Sequence, residues 1–306
     1  MKILFAVDGS DCSKEAIKTA QTMRCPAGTE LMVVSAVDFL EPLPSLEGVK
    51  KRELAETEKL VLESVEQLRS SHPHAVVTGT VRDGYACEEI LEICKEWHPD
   101  LLMLGSHGRT GISFLMTGSV SRTMLMEAPC AVRIIRPRAE GHVKSDICNV
   151  ILALDDSEHS KTVIDHVLEF PWSEYTTFKC VHIVPEIHRG LLTESEITPG
   201  ETFSQHYKDM VAGSQPWLEV SAQKLNNKFD KLVAKTEVLL GEPRQVLLEL
   251  AKSWPADLIL MGSHGRRGFE RAIIGSVSEA VAMHAPCSVE VSRIKSLSNK
   301  KVHFIV

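Results

Sequence analysis

Two segments of this 306-residue chain repeat almost residue for residue. Gly105-Ser106-His107-Gly108-Arg109 leads to Gly118-Ser119-Val120-Ser121, and Gly262-Ser263-His264-Gly265-Arg266 leads to Gly275-Ser276-Val277-Ser278. Both obey G-x2-G-x9-G-S. Each follows an apolar strand-like run, Leu101 to Leu104 or Leu258 to Met261, and each stops where a helical pattern starts. Strand, glycine-studded bend and helix together make a phosphate cradle. Residues without a β-carbon let backbone N–H groups come close to an anion, and the helix N-terminus adds unpaired donors and the positive end of a dipole. The pattern predicts two nucleotide sites in one chain.

The repeat reaches well beyond these bends. Lys2 to Ser10 (KILFAVDGS) matches Asn149 to Ser157 (NVILALDDS), which sets Asp8 against Asp155, 147 residues apart. From Gly84 and Gly241 onward the matched positions lie 157 apart, so the second copy carries about ten extra residues in its middle crossover. In the first copy, apolar runs at 2–7, 30–37, 75–82, 100–104 and 130–136 alternate with helical periodicity. Ala16, Ile17, Ala20 and Met23 share one helix face, as do Leu54, Leu60, Val61, Val65 and Leu68 on the next. Near-continuous apolar strands joined by such crossovers imply a parallel sheet covered on both sides, with right-handed connections. The fold class expected is α/β, two tandem doubly wound domains of five parallel strands each.

Length agrees, since domains of ~150 residues are common. The polar stretch between Pro137 and Cys148 marks the join, giving domains at 1–140 and 146–295 and a tail at 296–306 that ends in the strand-like KVHFIV. The segment from Pro185 to Gln215, with Pro199, Gly200 and Gly213, reads as a lid or an irregular surface loop. With 43% hydrophobic and 25% charged residues the composition is that of a soluble globular protein. No run of ~18 apolar residues could span a bilayer. The first apolar run meets an acid at Asp8, too soon for a signal peptide. Eight cysteines without a C-x-x-C pair point to reduced thiols and a cytoplasmic location. A formal charge of -7 argues against a nucleic-acid partner, because phosphate-backbone binding needs a basic field. Small phosphates need only local donors.

In open parallel sheets, ligands sit beyond the carboxyl ends of the strands where strand order reverses. Asp8-Gly9-Ser10 after the first strand and Gly105 to Ser119 after the fourth meet that condition, and Asp155-Asp156-Ser157 and Gly262 to Ser276 repeat it. On these residues the chain resembles a tandem universal stress protein, two UspA-like domains of the ATP-binding branch in one polypeptide. The resemblance covers nearly the whole chain and implies a Rossmann-like fold of the adenine nucleotide alpha hydrolase-like type. It implies that Asp8 and Asp155 contact the adenosine, that Ala36 and Ile183 offer backbone to the adenine edge, and that Gly105, Gly108, Gly118 and Ser119, with Gly262, Gly265, Gly275 and Ser276, line the triphosphate and ribose. Copy two has His182-Ile183 where the family has His before a small aliphatic residue, whereas copy one has Ser35-Ala36. Ala131 and Ser288 stand where the family has a proline in its last strand. Those last strands would join the copies as an intramolecular pseudo-dimer, with further homodimerisation and the signalling partner left open.

Several residues carry plainer alternatives. Ser119 and Ser276, or Asp8 and Asp155, could be helix N-caps. His107 and His264 could act near neutral pH as bases or simply cover a ligand. Arg109, Arg266 and Arg267 could pair with phosphate or be solvated. Cys130 and Cys287 read as small apolar fillers, and His72-Pro73-His74 as a helix-ending turn rather than a metal pair.

A nucleotide-responsive binding module with little or no catalysis is the leading expectation, its ligand ATP, ADP or AMP, with Mg2+ held by Asp8, Asp155 or a serine hydroxyl. No Walker lysine follows either bend. The rivals are a slow ATPase or adenylyl-transferring enzyme on the same sheet, for which neither S-G-G-x-D-S nor H-I-G-H and K-M-S-K-S occurs, and a structural oligomerisation module.

Overall fold

The computed structural model describes residues 1–38, 47–108, 118–137, 148–185, 203–229, 233–265 and 274–293. In the first half β1 (Lys2–Ala6), α1 (Asp11–Thr22), β2 (Glu30–Val37), α2 (Glu47–Ser71), β3 (Val76–Asp83), α3 (Ala86–Trp97), β4 (Leu101–Gly105), α4 (Ser119–Glu127) and β5 (Ala131–Ile135) follow in order. The second half repeats them as β6 (Cys148–Ala153), α5 (Glu158–Glu169), β7 (Thr176–Val184), α6 (Phe203–Lys228), β8 (Val233–Leu240), α7 (Pro243–Ser253), β9 (Leu258–Gly262), α8 (Ser276–His284) and β10 (Ser288–Ser292).

The ten strands of the described residues form one sheet in the order β3-β2-β1-β4-β5-β10-β9-β6-β7-β8. Each half is thus a five-stranded parallel sheet, doubly wound as expected. Side chains alternate across a strand, so Ile3 and Phe5 enter one layer of the core while Leu4 and Ala6 enter the other. One layer receives Ala16, Ile17, Val163 and Leu218 from α1, α5 and α6, and the other Ile90, Met124, Leu247 and Val281 from α3, α4, α7 and α8. Both layers run through both halves.

The halves meet at β5 and β10, the one antiparallel pair among the described strands, where Ile134 faces Val289, Arg133 faces Glu290 and Val132 faces Val291. The expected pseudo-dimer joint is therefore a backbone ladder. Within it lies an ion pair, Arg133 to Glu290 at 2.5 Å, with side chains 6% and 0% exposed. His166 of α5 brings Nε2 to 2.6 Å from the other carboxylate oxygen, and the guanidinium lies over Phe170 and Trp172 at 4.8 and 5.7 Å from the ring centres. Burial alone would raise the Glu290 pKa, but Arg133 and His166 outweigh it and hold it down at about 2. Arg136 extends the joint by donating to the Ala282, Met283 and Cys287 carbonyls at 2.6, 3.1 and 3.3 Å, and Arg293 donates reciprocally to the Leu125 carbonyl.

One expectation changes. The segment expected to be irregular through Gln215 is helical from Phe203, in α6, even though that helix holds both Gly213 and Pro216 inside it. Burial of Leu218, Ala222 and Leu225 on the sheet outweighs those two breakers. Residues 186–202, the joining segment 138–147 and the KVHFIV tail lie outside the described residues. The His72 turn stands as read, since α2 ends at Ser71 and the His72 ring reaches the Ala20 carbonyl at 2.8 Å.

Glu290→Gln leaves Arg133 buried without its countercharge and is expected to cost about 3–5 kcal/mol in urea unfolding. Because the carboxyl pKa is lower in the folded chain, its contribution is complete above the ordinary glutamate range and fades as pH falls toward 2. Acid should therefore erode stability more steeply in the wild type than in the Gln variant.

Candidate functional site

Strand order turns back between β1 and β4, and again between β6 and β9, so one crevice opens at the carboxyl end of each half. The first is built from the end of β1 with the start of α1, the end of β4, and the start of α4. Gly105 closes β4 directly under the α1 backbone. A β-carbon there would lie 2.7 Å from Cys12 Cβ, 2.8 Å from the Cys12 carbonyl carbon and 2.9 Å from the Ser13 nitrogen, so any larger residue would push α1 off the sheet. Gly262 is equally close to His159 Cβ, at 2.8 Å.

Asp8 stands across the crevice from the bend. A β-carbon on Gly108 would lie 2.8 Å from Asp8 Oδ2, and one on Gly265 would lie 2.7 Å from Asp155 Oδ2. The other oxygen of each carboxylate is engaged locally: Asp8 Oδ1 accepts from the Ser10 amide at 3.0 Å and hydroxyl at 2.6 Å, and Asp155 Oδ1 from the Ser157 and Ser160 hydroxyls at 2.5 and 2.7 Å. The helix-cap alternative for the two aspartates fails. Ser10 and Ser157 are the N-caps, accepting from the Ser13 and Ser160 amides, and each aspartate braces its cap. Ser10 Oγ also reaches the His107 carbonyl at 3.1 Å, which ties the β1 loop to the β4 loop.

At α4 and α8 the capping alternative for Ser119 and Ser276 also fails. The N-caps are Gly118 and Gly275, which have no side chain to turn inward, so the first-turn amides of Ser119, Val120 and Ser121, and of Ser276, Val277 and Ser278, are left without a side-chain cap. Ser119 and Ser276 are exposed at the rim. Not every expected donor is available. The Gly118 amide donates to the Ser106 carbonyl and the Gly275 amide to the Ser263 carbonyl, both at 2.7 Å, while the Ser121 and Ser278 hydroxyls donate to the Gly105 and Gly262 carbonyls, also at 2.7 Å. These four groups hold the bend in shape. What each crevice offers an anion is the first turn of the helix, its uncapped amides and its dipole.

Ala36 and Ile183 are the last but one residues of β2 and β7, strands that flank β1 and β6. They end on the same side of the sheet as Asp8 and Asp155, Ala36 half-buried and Ile183 buried. Arg109, Arg266 and Arg267 lie outside the described residues. His107 turns Nδ1 toward Ser106 Oγ at 3.0 Å, and burial, with the charge of Arg136 second, pulls its pKa below the usual value, which favours the neutral ring. His264 makes the same contact with Ser263 Oγ at 3.1 Å.

The two crevices are not identical. Cys12, 3.6 Å from Ser106 Oγ, occupies in the first half the position of His159 in the second, where the ring packs 5.1 Å from His264 and lies 3.4 Å from Ser263 Oγ. Burial, followed by the neighbouring His264, lowers the His159 pKa. Beside strand two, His182 bonds the Leu154 carbonyl at 2.9 Å and meets Trp217 edge-on, whereas Ser35 stands in that place in the first half. Cys130 and Cys287 are buried, and burial pushes the Cys287 thiol up to about 12, in keeping with inert filler. Among the described residues no three His, Cys, Asp or Glu side chains gather as a metal site, and no described helix is long and apolar enough to cross a membrane.

The model of the universal stress protein family matches residues 1–136 and again residues 148–293. The chain belongs to the universal stress protein family. A universal stress protein of Mycobacterium tuberculosis is 25% identical over 324 aligned positions, spanning 95% of each chain. One from Synechocystis is 27% identical over 146 residues, 46% of this chain and 94% of its own. A crystal structure of a universal stress protein from Archaeoglobus fulgidus superposes with a TM-score of 0.64 at 17% identity, covering 95% of this chain and 96% of that one, which shows the shared fold. The family match thus spans both halves of the sheet.

The serines that hold each crevice have a signature in the sequence, of which Ser13 and Ser160 are the part not expected above. Asp-x-Ser-x-x-Ser occurs at Asp8-Ser10-Ser13 and at Asp155-Ser157-Ser160, at the same 147-residue spacing as the aspartates. Arg136 and Arg293, remote from the glycine bends in sequence, gave no such signal.

Gly105→Ala and Gly262→Ala are expected to destabilise the chain by about 1–3 kcal/mol each through overpacking against α1 and α5. Gly118→Ala, whose β-carbon would have its nearest neighbour at an ordinary 3.6 Å, should cost under ~1 kcal/mol in the same urea titration.

Proposed function

We propose that this universal stress protein binds an adenine nucleotide, ATP foremost, in each half, and serves as a cytoplasmic, nucleotide-responsive stress-signalling module rather than a fast enzyme. The observation that carries the reading is the pairing, in both crevices, of an aspartate with an uncapped helix N-terminus that starts from a glycine. In this reading the first-turn amides of α4 and α8 meet the phosphates. Asp8 and Asp155 meet the ribose, and the backbone at Ala36 and Ile183 meets the adenine edge. The glycines at 108, 118, 265 and 275 keep each bend free of side chains, while those at 105 and 262 seat α1 and α5 on the strand ends. Ser119 and Ser276, exposed at the rim, present hydroxyls to a phosphate or to Mg2+ accompanying it. Bound Mg2+ would offset phosphate charge, and Asp8 and Asp155 are the carboxylates that would help to hold it.

Family membership supports the reading. So does the way the folded chain spends its polar groups: Ser10, Ser13, Ser106 and Ser121 bond inward and stiffen the crevice, which lowers the ordering cost of binding.

Titration calorimetry with MgATP should find two sites per chain. Gly118→Leu should abolish the first, Gly275→Leu the second, and the double variant both, with folding checked by circular dichroism. Unaltered stoichiometry and affinity in a folded double variant would refute the phosphate placement. Turnover of ~10 per second, ordinary for an enzyme, would instead favour the catalytic rival.

A further inference from the structure

Matched residues of the last strands and helices lie 157 apart, and the β5–β10 register shows where the two halves are related by a local two-fold axis. Val132 faces Val291 and Ile134 faces Val289, and these pairs exchange under that relation. Arg133 faces Glu290, its own counterpart. The same happens between α4 and α8, where Arg122 Nη2 lies 3.0 Å from Oε1 of Glu279, again its own counterpart. At such positions an edge that paired with a copy of itself would set a residue against the identical residue. Two first halves joined in this way would press Arg133 on Arg133 and Arg122 on Arg122, and two second halves would press Glu on Glu at both places. One of those like-charge contacts would be almost fully buried, where neither solvent nor salt relieves it.

We propose that Arg122, Arg133, Glu279 and Glu290 are the specificity determinants of the central interface, fitting the β5 edge to the β10 edge and barring pairing of either half with its like. The valine and isoleucine pairs on either side are apolar in both halves and could serve any partner, so discrimination falls to the axial charges. Their environment is built for that division. Glu290 is held by Arg133 and His166, and Arg133 is roofed by Phe170 and Trp172, so each site accepts one sign of charge.

The test uses the whole chain. A protease site placed in segment 138–147 lets the folded protein be cut once, and native mass spectrometry then counts pairings after partial opening in mild urea and its removal. The cut wild type should yield only first-half with second-half pairs; a statistical mixture containing like-with-like pairs would overturn the proposal. In the cut R122M/R133M/E279M/E290M chain, like-with-like pairs should appear beside the mixed ones, and their continued absence would equally overturn it. Should that variant not refold, E279R, altered at a partly exposed position, must weaken the association of the cut halves several-fold on dilution; undiminished association would contradict the assignment.

Discussion

The close approach of α1 to the end of β4, and of α5 to the end of β9, is the constraint on which both crevices depend. With no β-carbon at Gly105 or Gly262, the first turn of the helix lies against the strand end at contact distance. That seating brings the cap serines Ser10 and Ser157 beside their aspartates, and at Ser10 it also reaches the carbonyl of the opposite loop. A loop that follows β1 and a loop that follows β4 thereby become one wall. Glycine at 118 and 275 completes it by ending the bend in an N-cap without a side chain, so that α4 and α8 keep a bare first turn.

The joint between the halves is anchored to the same parts. Ser106, at the base of the first bend, donates its amide to the Ile135 carbonyl at the end of β5, and the next residue, Arg136, holds the last turn of α8 in the other half. Ser263 donates to Ser292 at the end of β10, and the next residue, Arg293, holds α4. Each bend is thus one residue away from an arginine that caps the partner half's helix, the helix whose far end faces the other crevice. An arginine at a helix C-terminus also suits the dipole there. Duplication alone does not produce this arrangement; the opposite charges at 133 and 290 make the two copies complementary rather than equal.

Much of this was legible in the sequence because it rests on local rules. Apolar runs as unbroken as ILFAV and LLML have few fates but buried parallel strands, and the spaced glycines between strand and helix mark the bend. The 147- and 157-residue offsets tie the halves together and locate the insertion. What could not be read is tertiary in origin. Whether Asp8 caps a helix or braces a cap depends on where Ser10 points, and the fate of the Gly118 amide depends on a carbonyl twelve residues away. The helical start at Phe203 was masked by Gly213 and Pro216, whose cost is met by burial against the sheet, and Arg133 with Glu290 look like two ordinary surface charges until the strands pair.

The central claim is that the bare first turns of α4 and α8 receive the phosphates. Amide hydrogen exchange of the intact protein, with and without saturating MgATP, tests it at residue level. Slowed exchange at Ser119 to Ser121 and at Ser276 to Ser278 is the predicted result. Saturable ATP binding that leaves both turns exchanging at their unliganded rates would contradict it.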